Sequence, residues 1–272
     1  VQEARDSERY GIREMTADFS LAGIMQRVRD VIARIEPHDS PERYRDMGVD
    51  VIEAAGKLVS PWTVAVDGRT ITARSIVLAT GAEPLVPPIP GLDETGYLTS
   101  DTIWELEELP ERMVVLGGGP IGSELAQAFA RLGSAVTVVE MADRLLPRED
   151  PEAGDALMDR MRREGAEIAT GHRAVRFERT DAGGRVVCEH EGRERTFEFD
   201  RVLIALGRKA RTRGFGLDEL GVEVADHGTI ATDPFLRTNF PNILVCGDAA
   251  GPYQFTHVAA HQAWFAAVNA LL

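Results

Sequence analysis

The stretch VVLGGGPIGSELAQAFARLGSAVTVVE, Val114 to Glu140, decides the fold. An apolar run enters a glycine cluster, an alanine-rich run with helical spacing leaves it, and a second apolar run, AVTVVE, closes on an acid. Gly117, Gly119 and Gly122 satisfy G-x-G-x-x-G between a strand pattern and a helix pattern, the context in which that spacing carries chemistry. The first glycine permits a tight turn, the second lets the backbone approach a pyrophosphate, and the third lets helix and strand pack closely. Free backbone N–H groups and the positive helix end then face the phosphates. Pro120 and Ile121, inside the turn, belong to the same cofactor-binding set. Glu140, 23 positions after Gly117, can accept hydrogen bonds from both ribose hydroxyls of NAD and would repel a 2′-phosphate, which favours NAD over NADP. Arg144, four residues later, softens that preference. Glu124 has two readings: a solvent-facing first-turn acid that supports the helix dipole, or an acid pointing into the cleft toward a nicotinamide ribose.

Outward from this centre, the amino-terminal flank reads as helix and connection. Ser20 caps LAGIMQRVRDVIARI, and Ser40 followed by Pro41 starts a short helix. From Val49 the period becomes strand-like: VDVIEAAGKLV, WTVAV, the turn Asp67-Gly68, RTITA and SIVLAT. EPLVPPIPG, with four prolines in nine residues, is a stiff connector, and a short helix is expected over 102–109. Beyond Glu140 the pattern predicts a helix over 151–164, strands near Glu167, Val175 and Val187, the strand RVLIALG, the strand NILVCGD and a closing helix in THVAAHQAWFAAVNALL. SIVLATG, RVLIALG and NILVCGD each end on a small-residue turn, and ligands of open α/β sheets lie beyond such strand ends.

The 272 residues suffice for two domains. With 30 basic against 44 acidic residues, a formal charge of -14, the chain is unsuited to a nucleic acid or an anionic membrane surface as its main partner. Cys188 and Cys246 have no CxxC or CxxxxC spacing, so neither a disulfide framework nor a thiolate metal site is expected, and a cytoplasmic, reducing compartment fits. No apolar run approaches the roughly 20 residues of a membrane span, and the amino end lacks the apolar core of a signal peptide.

Taken in order, ATG at 79–81, PPIPG at 87–91, GGGPIGSE at 117–124, RLLPREDPE at 144–152, ALGR at 205–208 and FPNILVCGDAAGPYQFTHVAAHQA at 240–263 resemble the flavin-dependent pyridine nucleotide-disulfide oxidoreductases. The resemblance implies an α/β, Rossmann-like FAD/NAD(P)-binding fold, with an NAD(P) domain inserted in a FAD domain that is incomplete here. It maps 1–108 to part of the first FAD segment, 109–235 to the NAD(P) domain and 236–272 to the return into the FAD domain. It implies that Thr80 and Gly81 lie near FAD, that Asp248 after Gly247 holds a ribityl hydroxyl, and that His257, Val258 and Ala259 open a helix aimed at the flavin ring. It favours the nicotinamide reading of Glu124 and puts Gly207, with Arg208, at the edge of the nucleotide domain.

Four departures accompany the resemblance. The family's first glycine fingerprint and its CxxxxC redox pair are absent, as is the distal histidine-glutamate pair, so no catalytic residue proper is expected in these residues. The family's GRxPN run reads GRKAR at 207–211. The expectation is therefore an internal segment of a longer, dimeric flavoprotein, inactive by itself, that passes hydride from NAD(P)H to FAD and on to a disulfide or another acceptor. RLLPREDPE and QFTHVA lean to the mercuric-reductase-like branch, whereas the NAD preference does not, which leaves the acceptor open. The alternative is a nucleotide-binding module that takes NAD without flavin or turnover.

Overall fold

A computed structural model describes residues 1–13 and 15–272. Along the chain, α1 (Gln2–Arg5), α2 (Leu21–Ile35) and α3 (Pro41–Asp46) precede the strands. Ser20 Oγ accepts from Gly23 N and Ser40 Oγ from Arg43 N, so both expected caps form. The strands β1 (Gly56–Ser60), β2 (Thr63–Val66) and β3 (Arg69–Thr72) make an antiparallel meander. Asp67 and Gly68 both take positive φ in its second turn, as a two-residue hairpin requires. The strand expected from Val49 begins only at Gly56, because 49–55 finds no ladder partner among the described residues.

β4 (Ile76–Leu78), β5 (Ala82–Pro84) and α4 (Leu92–Thr95) follow. The helix expected over 102–109 shrinks to one 3₁₀ turn, Ile103–Glu105; the approaching Pro110 disfavours helical backbone at Leu109. Then come β6 (Arg112–Leu116), α5 (Pro120–Leu132), β7 (Ala135–Val139), α6 (Pro151–Arg163), β8 (Glu167–Ala169), β9 (Arg173–Thr180), β10 (Gly183–His190), β11 (Arg193–Phe199) and β12 (Arg201–Ile204). The chain closes through β13 (Arg208–Ala210), α7 (Leu217–Leu220), β14 (Ile243–Val245) and α8 (Thr256–Leu271). Sequence periodicity does not announce β11: RERTFEF is mostly charged, and only Phe197 and Phe199, two apart and buried, betray its inner face.

The chain forms two compact units, Val1–Pro37 with Pro84–Gly207, and His38–Glu83 with Arg208–Leu272. In the first, an all-parallel sheet runs β12-β6-β7-β8. From β6 the chain steps outward to β8 and returns with β12 on the other side of β6. The carboxyl ends of β6 and β12 therefore flank a topological switch point, where open α/β sheets bind ligands. Met113 and Val115 face a helical core with Ala126, Phe129, Met158 and Met161, while Val114 and Leu116 face the antiparallel layer β9–β11 through Phe177, Val186 and Phe199. Burial on both faces explains why these strands read as unbroken apolar runs. Glu164 ties the helices together: Gln127 and Arg131 of α5 and Arg160 of α6 all donate to its carboxylate, whose side chain is 3% exposed.

The second unit holds the β1–β3 meander and the parallel pair β4–β14 around Leu58, Leu78, Leu217, Ile230, Ile243 and Val245. Ala266 of α8 packs on Leu244 and Cys246. Among the described residues no helix is long and apolar enough to cross a membrane.

Candidate functional site

Each glycine of the β6–α5 turn meets a different constraint. Gly117 has φ 105, and a Cβ there would stand 2.3 Å from Ala205 O, so the exits of β6 and β12 touch backbone to backbone. A Cβ on Gly122 would stand 2.0 Å from Gly117 O, which seats α5 against the turn. Above Gly119 the space is open: a Cβ there would meet nothing within 4 Å. α5 starts at Pro120 with no side-chain cap, and Ser123 N already takes Gly119 O. The amides of Ile121 and Gly122 are left without an intrahelical acceptor at the positive end of a thirteen-residue helix. Room at Gly119 and free donors behind it fit a pyrophosphate.

Glu140 ends β7 beside this turn. Its Oε2 accepts from Gly118 N at 2.6 Å and its Oε1 from Ala142 N at 2.7 Å, so two backbone donors hold the carboxylate while each oxygen keeps acceptor capacity. Arg144 is turned onto its own loop: Nη2 donates to Pro147 O at 3.2 Å and faces Glu149 O at 3.5 Å. Below, His172 N donates to Glu140 O, and the buried His172 ring stacks on His190 at 4.2 Å between centroids. The Glu124 side chain is exposed and accepts no hydrogen bond among the described residues. Gly207, with φ 111, accepts from Leu85 N at 2.9 Å. Sequence reading passed over Ser123, whose buried hydroxyl donates to Gly118 O at 3.1 Å, and Leu145, whose side chain underlies Gly118.

In the second unit, Ala79, Gly81, Gly247, Asp248 and Ala259 line a cleft of about 370 Å³. Thr80 Oγ1 donates to Arg211 O at 2.8 Å, and Arg211 N donates to Gly81 O at 2.9 Å. Arg208 Nη2 donates to Ala82 O at 2.8 Å. These bonds use the Arg211 backbone and the retained Arg208, so the departure at Ala210 and Arg211 from the family's GRxPN leaves them intact. Gly247 has φ 70, and its N–H donates to Gln262 Oε1 at 2.8 Å, while Gln262 Nε2 donates to Gly251 O at 2.9 Å. Gln262 thus sets the Gly247–Asp248 turn, a role no local pattern announces. α8 begins without a side-chain cap, which leaves the N–H groups of its first turn, Thr256, His257 and Val258, without intrahelical acceptors. A positive-φ glycine, an acid and an uncapped helix end around one cleft fit a flavin nucleotide.

Neither cysteine is poised to react. Burial pushes the Cys188 thiol up to about 11, against a weaker opposing pull from Arg195, and burial raises Cys246 as well.

The profile of the pyridine nucleotide-disulphide oxidoreductase family matches residues 13–263. Mercuric reductase of Bacillus cereus is 35% identical over 268 residues, which cover 98% of this chain and 42% of that protein. Dihydrolipoyl dehydrogenase of Chlamydia muridarum is 34% identical over 274 residues, 99% of this chain and 58% of that protein. Among solved structures, LpdA from Mycobacterium tuberculosis aligns with a TM-score of 0.86 at 30% identity, over 99% of this chain and 60% of that one. The HOCl-induced flavoprotein disulfide reductase RclA from Escherichia coli aligns with a TM-score of 0.82 at 29% identity, over 99% and 59%. The fold is thus the Rossmann-like FAD/NAD(P)-binding type expected from the sequence. The chain spans about half the length of the curated relatives it matches.

Proposed function

The chain belongs to the pyridine nucleotide-disulphide oxidoreductase family, and from that membership we propose that it is the nucleotide-binding part of a flavin-dependent oxidoreductase passing hydride from NADH to FAD and on to a disulfide or another acceptor. FAD, when bound, supplies a two-electron relay between nicotinamide and acceptor. Ile121 and Gly122 N–H groups bind the NADH pyrophosphate over Gly119, and Pro120 fixes the helix entry. Glu140, held by Gly118 N and Ala142 N, accepts the adenosine ribose hydroxyls and disfavours a 2′-phosphate. Glu124 stands by the nicotinamide, and Gly207 borders the nucleotide domain, assigned to 109–235 between FAD segments 1–108 and 236–272. Thr80, Gly81, Gly247 and Asp248 hold the flavin side, with Asp248 accepting a ribityl hydroxyl. The first-turn amides at His257 and Val258, packed through Ala259, favour negative charge on the reduced ring.

The observation that carries this reading is the clamped Glu140 beside an open Gly119 at the switch point of a parallel sheet. The enzyme works as a homodimer in the cytoplasm on a small-molecule or disulfide substrate. Anaerobic addition of NADH to the full-length polypeptide is the test: a yellow protein whose flavin absorbance bleaches supports the oxidoreductase. A colourless protein protected against heat only by NAD(H) makes it a nucleotide-binding module instead.

A further inference from the structure

We propose that Arg208 is the positioning residue for Asp248 and, through it, a determinant of flavin affinity and redox potential; this rests on the flavin reading of the second unit. Arg208 opens β13 directly after the Gly207 turn. Its Nη2 donates to Ala82 O at 2.8 Å, and its Nε lies 3.4 Å from Asp248 Oδ2. One planar guanidinium therefore joins the segment after the Thr80–Gly81 turn to the carboxylate at the end of β14. A fork anchored at Ala82 O cannot swing freely, so it holds its positive charge within ion-pair distance of Asp248, which a flexible lysine ammonium does not.

The pair is also sheltered. The two side chains are 25% and 21% exposed, so water screens their attraction less than it does on an open surface. Asp248 is consequently restrained twice: Gln262 sets its turn through Gly247 N, and the ion pair with Arg208 biases its carboxylate. A carboxylate so held accepts a sugar-alcohol hydroxyl without first losing side-chain freedom. The charges matter as well. Arg208 and Asp248 together are neutral, whereas Asp248 alone would set a negative charge in the cleft where a reduced flavin adds another.

A double-mutant cycle in the full-length polypeptide tests this, with FAD dissociation constant, flavin midpoint potential and apoprotein Tm as readouts. Arg208→Met is expected to weaken FAD about tenfold and to move the potential to more negative values. Asp248→Asn should weaken FAD comparably, and the double variant should be no worse than the weaker single one. Arg208→Lys should fall between. Should Arg208→Met not fold, Arg208→Gln, which retains a donor for Ala82 O without the charge, replaces it in the cycle. Multiplying effects in the double variant, or a lowered apoprotein Tm with unchanged FAD affinity and potential, would overturn the role of Arg208 while leaving the flavin reading standing. No FAD binding by the unsubstituted polypeptide removes both.

Discussion

Gly118 N donates to Oε2 of Glu140 across 2.6 Å, and this bond, next to the one from Gly117 N to Val139 O, joins the exit of β6 to the exit of β7. Because Oε1 of the same carboxylate takes Ala142 N at 2.7 Å, Glu140 is placed before any ribose arrives. Glu140→Ala removes both acceptors and is expected to cost about 2 kcal/mol in stability, from two amides losing a charge-assisted bond. NADH affinity should drop at least about tenfold and the preference over NADPH should narrow. Thermal melts and parallel NADH and NADPH titrations measure this; unchanged NADH affinity would refute the ribose role.

Two glycines of the turn should behave in opposite ways. Gly122→Ala forces a methyl to within 2.0 Å of Gly117 O, and is expected to destabilise the first unit by about 2 kcal/mol or more. Gly119→Ala meets nothing within 4 Å and needs no unusual backbone, so its melting should barely change. Its NAD(H) affinity should nevertheless fall, because the methyl occupies the pyrophosphate's approach. Isothermal titration of a normally folded Gly119→Ala chain separates cradle from scaffold, and full retention of binding argues against the cradle.

Gln262 makes two bonds to one turn, accepting from Gly247 N and donating to Gly251 O. Gln262→Leu keeps the volume but strips both, with an expected loss of about 2 kcal/mol or more and of bound flavin. Gln262→Glu retains the acceptor for Gly247 N and should lose roughly half as much. Urea unfolding with flavin absorbance as a second signal checks the ranking. Equal losses for the two variants would mean that the Gly247 bond contributes nothing.

Acid should loosen the junction of α5 and α6. Burial by itself would push the Glu164 carboxyl up, but hydrogen bonds from Arg131 and Arg160 outweigh it and hold the group below its usual range. A depressed native value means that the stabilisation is complete above the unfolded carboxyl pKa of about 4.3 and is lost as pH falls through the native value. Asp200, likewise burdened by burial but held down by Arg112, acts in the same direction. Stability measured from pH 6 downward should therefore decline below about pH 4, and more gently in Glu164→Gln. An identical acid limb in that variant would exclude Glu164 as a contributor.

The thiols should be silent in the native state. With Cys188 pushed up to about 11 by burial and Cys246 also raised, neither side chain presents appreciable thiolate at pH 8. A thiol-specific chromogenic reagent is expected to find neither until denaturant is added, and then both. Rapid native labelling of either would show that its strand end opens.

What could be read directly along the chain is what neighbours in sequence settle among themselves. The caps at Ser20 and Ser40, the Asp67-Gly68 hairpin and the glycine turn into α5 all form where expected, because each is a contest between a few backbone groups and one or two side chains. Glu140 belongs with them, since a strand that follows a glycine turn and its helix must end beside that turn. Pairing in space decided the rest. Residues 49–55 and β11 show that strand pattern without a partner makes no strand, and that a charged run with a partner does. Gln262 reaches Gly247 and Arg208 reaches Asp248 only because α8 and β13 fold back onto the end of β14. Sequence by itself determined the chemistry on offer, through glycines and acids at the ends of apolar strands. Tertiary structure alone chose which side chains hold those groups still, because long-range hydrogen bonds and ion pairs depend on packed distance and not on spacing along the chain.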